Sequence, residues 1–242
     1  MAAERMSMLE AKLERLDRTN RPQQPLSRMC LVGRAADGVS ADEVVEWHET
    51  KVRAVQQHVM DLEKAHGDSG DTSSAVTGML ICLPTGWLHV VECSHATLSE
   101  LLLAFTDGVA LDKLRDVKVV ATTDDIAGRS FVNWSHKQLD VQRGNFQEVD
   151  ATTMPALLAD TTISMLKLGK ALCSLSRDEA NAKLDAWSTA FADFMPSNER
   201  VEQLLEMSEI MSLSEFVAIY QAPSVMTLTE EKVWPMNRPL VY

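Results

Sequence analysis

Basic charge is in short supply in this chain. Lysine and arginine total 23 against 35 aspartates and glutamates, giving a formal net charge of −12 and a pI near 4.9. Nucleic acid and anionic lipid are held by cationic side chains that neutralise phosphates, so no nucleic acid and no membrane is expected among the partners. Long apolar runs are missing too. No stretch approaches the roughly 18 uncharged apolar residues of a membrane span, and the opening MAAERMSMLEAKLERL carries charge where a signal peptide would have an apolar core. The four cysteines, Cys30, Cys82, Cys93 and Cys173, form no Cys-x-x-Cys pair; each falls in an apolar run, the setting of a reduced core residue. There is no glycine-rich phosphate cradle, and the six histidines contain no His-Glu-x-x-His. Tyrosine occurs only at 220 and 242, and no asparagine lies between Asn20 and Asn133.

What is present is the makings of a core, with 45% hydrophobic residues. In the stretch Ala75 to Cys93, AVTGMLICLPTGWLHVVEC, two apolar runs, Val76 to Leu83 and Trp87 to Val91, flank Pro84-Thr85-Gly86 and read as a hairpin. Thr97 and Glu100 have capping-box spacing, so a helix is expected to open at Thr97, bury Leu98, Leu101, Leu102 and Phe105, and stop near Asp107-Gly108. Upstream, Met29 to Val32 reads as a strand, and Ser40 with Glu43 opens a helix reaching about His66. Val45, His48, Val52, Val55, Val59 and Leu62 keep three-four spacing along it. At about 1.5 Å per residue this helix is on the order of 37 Å long, more than a small sheet covers, so its last turns should project. Val117 to Thr122 is a fourth strand and Lys137 to Val141 a candidate fifth. The order β-α-β-β-α-β-β, with helices on one face of an antiparallel-containing sheet, is an α+β fold.

From Met154 the pattern turns helical. Pro155 suits a first helical turn, and Leu157, Leu158, Ile163, Leu166 and Leu168 are apolar up to an expected end at Gly169. Ser176 and Glu179 form another capping box, leading through Leu184, Trp187, Phe191 and Phe194 to Pro196. Further helices are expected over Val201 to Met211 and Glu215 to Gln221. The organisation is then a helix and linker over 1–25, an α+β domain over 26–145, a helical extension over 146–222 and an extended tail over 223–242.

Candidate chemistry is sparse. His89, Cys93 and His95, with Cys82 across the hairpin, are the nearest approach to a zinc set; His89 and Cys93 share a strand face, but the spacing is that of no zinc motif. Ser164-Met165-Leu166-Lys167 has Ser-x-x-Lys spacing without its companion motifs and reads as a serine and lysine in mid-helix. Asp124-Asp125 reads as a solvated turn. No catalytic residue and no metal ligand is assigned, and no enzyme is expected.

One resemblance organises these features. The segment VTGMLICLPTGWLHVVEC, the helix after it, and VKVVATTDDIAGRSFVNWS resemble the BLUF domain, a flavin-binding blue-light sensor of ferredoxin-like fold. The landmarks are Val76-Thr77-Gly78, Trp87 to Glu92 and Phe131-Val132-Asn133-Trp134-Ser135, with Arg28 to Ala35 resembling the first strand. The resemblance covers roughly residues 26–145 and implies a ferredoxin-like, BLUF-like sheet with two helices, here followed by the C-terminal helical extension. The family's photochemistry uses a tyrosine on the first strand, a glutamine on the third and an asparagine ahead of the second. The matching positions hold Leu31 and His89, and the asparagine is missing. Leucine has no hydrogen-bonding group and histidine has a different donor geometry, so no flavin or other cofactor is expected.

Degenerate domains of this kind are similar to a testis-expressed BLUF-like family of sperm and motile cilia. That similarity implies a non-enzymatic structural or interaction protein of the axoneme, in the cytoplasm and its extension into the cilium or flagellum, with other axonemal proteins as partners. The alternative is a flavin or small-ligand sensor with an altered pocket. The expected partner-binding residues lie on the terminal arms: Leu9, Leu13 and Leu16 on a lone short helix, and Trp234 and Tyr242 on a proline-punctuated tail. The competing expectation is that both arms fold back onto the protein's own helices.

Overall fold

A computed structural model of the chain describes residues 25–65, 75–140 and 152–220. The N-terminal helix, the 67–74 loop and the tail, and with them Leu9, Leu13, Leu16, Trp234 and Tyr242, lie outside the described residues. The strands are β1 (Leu26–Ala35), β2 (Thr77–Leu83), β3 (Gly86–Ser94), β4 (Leu114–Thr123) and β5 (Trp134–Gln138). The helices of the first half are α1 (Ala41–Ala65), α2 (His95–Thr106) and the single turn α3 (Gly108–Leu111). Those of the second half are α4 (Met154–Cys173), α5 (Arg177–Asp185), α6 (Trp187–Ala190), α7 (Asn198–Glu206) and α8 (Leu213–Tyr220). No described helix is long and apolar enough to cross a membrane.

The strands lie in the order β4-β1-β3-β2-β5. Each of the first four is antiparallel to its neighbour, the ferredoxin-like arrangement, and β5 adds to the outer edge of β2 in parallel, from Gly78 opposite Trp134 to Cys82 opposite Gln138. The fold is α+β, and helices cover the sheet on both faces rather than on one. The cause is legible in β2 and β3, which are buried at every position. Side chains alternate along a strand, so two fully apolar strands present two apolar faces and both need a cover. Leu80, Cys82, Trp87, Val91 and Cys93 pack toward α1, α2 and α8; Met79, Ile81, Leu88 and Val90 pack toward α4, α5 and α7.

Several boundaries move for identifiable reasons. The Ser40–Glu43 capping box is formed, with the Glu43 N–H donating to Ser40 Oγ at 3.2 Å and the Ser40 N–H to Glu43 Oε2 at 3.0 Å. Leu62, though in register with the apolar stripe of α1, is 45% exposed where the helix runs past the sheet. The next helix opens at His95 and not at Thr97, because Ser94 ends β3 and its Oγ caps the Thr97 N–H. The fifth strand is Trp134–Gln138, set three residues earlier than Lys137 by its pairing with β2. Gly169 does not stop α4. It lies inside the helix, where a Cβ would stand 2.7 Å from the Ser130 carbonyl oxygen, and so lets α4 close on the 126–131 loop. The Ser176–Glu179 box is present, but its helix ends at Asp185 and only the single turn α6 follows. Cys30, Cys82 and Cys93 are buried as expected; Cys173 is exposed, with its thiol donating to the Ser130 carbonyl at 3.0 Å.

The β4 edge is irregular. Its pairing with β1 shifts register between Cys30 and Leu31 and again between Val32 and Arg34, and Asp116 has φ 53. The chain ahead of α8 crosses this edge, with the Val119 N–H donating to the Met211 carbonyl at 3.0 Å and Lys118 bridging to Ser212. The Lys118 ammonium donates to the carbonyls of Leu205 and Met207.

Two-faced burial has a direct test. A chain cut after Asp140 loses α4 to α8 and bares Met79, Ile81, Leu88 and Val90, so it should aggregate or bind a hydrophobic dye. A one-faced ferredoxin-like domain would survive the same cut as a monomer, which size-exclusion chromatography would detect.

Candidate functional site

The positions singled out by the sequence resemblance meet in the space between β1, β3, α1 and α2. Leu31 and His89 sit directly opposite each other across the β1–β3 ladder, and both are fully buried. The capping box at Ser40 sets the phase of α1 so that Val44, Trp47, His48 and Val52 point at the sheet. His48, 0% exposed, stands over His89 with ring centroids 5.0 Å apart and planes at 82°. Trp87 closes on His48 from β3 at 4.8 Å and Phe105 from α2 at 5.3 Å, while Trp47 lies 5.1 Å away on the same helix. Gly33, beside Trp87 in register, has no side chain because the indole occupies that space.

The hydrogen bonds fix the tautomers. A carbonyl only accepts, so His48 Nδ1, 2.8 Å from the Val44 carbonyl oxygen, carries a proton. An indole only donates, so His89 Nε2, 2.9 Å from Trp134 Nε1, is an acceptor and its proton sits on Nδ1. Burial pushes the His48 pKa down to about 4 and that of His89 well below the usual histidine range, with the neighbouring His48 adding to the latter. Both rings are neutral at physiological pH. Each keeps one nitrogen without a partner among the described residues: an acceptor on His48, Nε2, and a donor on His89, Nδ1.

The zinc-like set is not assembled. His89 and Cys93 share a face but stand four residues apart on a strand, roughly 13 Å. Cys82 is opposite Trp87, and His95 heads α2, where Tyr220 Oη lies 2.7 Å from its Nε2. Among the described residues no group of three histidine, cysteine or acidic side chains could hold a metal ion. Burial pushes the Cys93 thiol up to about 12, so it is protonated at neutral pH and a poor nucleophile. Ser164 and Lys167 lie on one side of α4, the lysine exposed, and Asp124 accepts from Ser27 Oγ at 2.7 Å in an exposed turn.

A family model described as Testis-expressed protein 47 matches residues 25–222. The chain belongs to that family. Solved structures to which the chain is similar include a bacterial light-regulated adenylyl cyclase (16% identity over 66% of this chain and 40% of that one, TM-score 0.35). They also include BlrB, a BLUF protein in its dark state (18% identity, 67% of this chain and 94% of that one, TM-score 0.32). A third is BlrP1 of Klebsiella pneumoniae in a calcium and cyclic-di-GMP complex (15% identity, 57% of this chain and 35% of that one, TM-score 0.33). The chain thus spans well under half the length of the cyclase and of BlrP1.

Beside the aromatic cluster, on the opposite face of β3, the Glu92 carboxylate is 0% exposed and organises the loop after β4. Oε2 accepts from the Ser130 N–H at 2.8 Å and the Phe131 N–H at 3.2 Å, and Oε1 accepts from Arg28 Nε at 2.7 Å. Arg28 also reaches Ser130 Oγ at 3.0 Å, and Arg129 Nη1 donates to the Glu92 carbonyl at 2.6 Å. This clamp delivers the chain into β5 and so places Trp134 beside His89. Sequence reasoning missed it, because one Glu ending an apolar strand has no local signature and its partners lie 38, 39 and 64 residues away. His48 was visible only as one member of an apolar stripe.

Two outcomes follow for stability. The unfolded chain binds a proton on His48 below about pH 6.5 and the folded chain resists it down to about pH 4. The contribution of a neutral, buried His48 is therefore complete above pH 6.5 and is lost as pH falls across that window, on the order of 3 kcal/mol in total. Urea titrations across this range should show that slope in the native chain and a shallower one in His48→Gln. Glu92→Gln removes the negative charge beside Arg28 and leaves one acceptor oxygen where there were two, so either the guanidinium or the Ser130 and Phe131 N–H groups face an NH2, and it should cost about 3 kcal/mol in the same measurement.

Proposed function

We propose that the chain is a non-enzymatic interaction protein of the axoneme of motile cilia or flagella, built on a BLUF-like domain that has lost its flavin site. The observation that carries the loss is the Leu31–His89 pair. At the two positions where the resemblance places a tyrosine and a glutamine, leucine offers no hydrogen bond, and the accepting nitrogen of the histidine, Nε2, is taken by the Trp134 indole. Trp47, His48 and Phe105 pack over the pair as ordinary core. Membership of a testis-expressed family supports the flagellar setting, and the raised thiol pKa values of Cys30, Cys82 and Cys93 fit a chain without a nucleophile. Its partners are then other axonemal proteins.

A second reading, a small-ligand sensor, is favoured by a groove of about 400 Å³ at the end of the sheet, lined by Val44, Cys82 and Trp87 and flanked by Arg34 and Arg115. Both arginines are already engaged, Arg34 with Asp116 at 3.2 Å and Arg115 with Asp37 at 2.6 Å. The absorption spectrum of purified protein separates the readings: no flavin band is expected, and one flavin per chain that responds to blue light would overturn the proposal. In sperm or multiciliated cells the tagged chain should remain with detergent-extracted axonemes. Complete release into the soluble fraction would overturn the axonemal assignment.

A further inference from the structure

Against the acidic whole, one groove is cationic. It lies between α4 and the 126–130 loop, has a volume of about 680 Å³, and none of its lining residues is acidic. Ile163, Leu166, Lys167 and Lys170 recur along α4 at three-four spacing and so form one wall. Arg28 and Arg129 stand on the other. Glu92, the carboxylate that Arg28 meets, is fully buried and already accepts from Arg28 and two backbone N–H groups, so it is directed at the loop and not at the lysines. Lys167 and Lys170 are exposed and form no ion pair among the described residues. Ile163 is 46% exposed in the same wall, and Leu166 is half-buried beside it. Gly128 leaves the opposite rim open, with nothing near the position of a Cβ.

We propose that this groove docks an acidic peptide segment of a partner protein, one that sets an apolar side chain on Ile163 and Leu166 and its carboxylates on Lys167, Lys170 and Arg129. Charge complementarity selects that occupant. On a chain of net charge −12, a local cluster of cations attracts a short anionic segment, while a long polyanion is repelled by the remaining surface. A duplex or an anionic bilayer needs a broad cationic face; this groove offers a few cations around an apolar strip, the footprint of a peptide of mixed acidic and apolar composition. The inference rests on the interaction reading above and gives it a site.

The test is fluorescence anisotropy with the full chain and a labelled probe peptide, Glu-Glu-Leu-Glu-Asp-Leu-Glu-Glu. Saturable binding is expected that weakens by about tenfold or more in Lys167→Glu/Lys170→Glu and also in Ile163→Ser, and that falls as salt is raised. If the charge-reversed chain melts early, Lys167→Gln/Lys170→Gln replaces it, with the same loss expected. Equal affinity of native and variant chains overturns the proposal. So does equal binding of the leucine-to-serine probe, or tighter groove-dependent binding of a single-stranded oligonucleotide or of phosphatidylserine vesicles. A chain found in axonemes that ignores the probe sinks this inference and leaves the interaction reading standing. Groove-dependent probe binding by a chain absent from axonemes supports the inference and sinks only the location.

Discussion

The β2–β3 hairpin cannot meet water on either side, and most of the architecture follows from that. A ferredoxin-like sheet needs only two helices when its outer face is polar. Here Met79, Ile81, Leu88 and Val90 make that face as apolar as the inner one, and α4 to α7 answer it. The helical extension is thus half of the core, not an appendage to a finished domain. Gly169 marks how close the two layers come, since even one methyl group on α4 would meet the backbone of the loop it covers.

Within that double-sided core the polar groups are arranged by what remains available once water is excluded. Glu92 gathers a guanidinium and two backbone N–H groups, which offsets the desolvation of a charge that reaches no solvent. The two histidines take the other course and stay neutral, each bound by one nitrogen and packed by aromatic rings. The inner pocket is hence a hydrogen-bonded aromatic core, while the surface with unspent charge lies on the far side, along α4.

Much of the fold was legible in the chain itself. The hairpin, the Ser40–Glu43 and Ser176–Glu179 caps and the burial of Trp87, Leu101 and Phe105 rest on local patterns that tertiary contacts reinforce. The errors fall where a distant contact decides. Gly169 looked like a stop because a glycine's role in close packing depends on a loop some forty residues away in sequence. The start of β5 is set by pairing with β2; the start of α2 is the local exception, set by Ser94, one residue past the stretch that read as the hairpin, whose hydroxyl caps the helix. At the candidate site, Leu31 and His89 could be named from resemblance alone, but their facing each other is a matter of register. His48, Trp47 and Trp134 arrive from two other elements, and no single-chain periodicity joins them.

The uneven β4 margin carries a consequence for how such a molecule shares crowded space. A straight, bare strand is a template on which the next copy can zip by its backbone; shifted register, a left-handed Asp116 and the crossing of the chain at Met211 and Ser212 deny that template. Copies that approach on this side would therefore meet through side chains whose identity can be selected, and not through the indiscriminate zipper that leads to fibres.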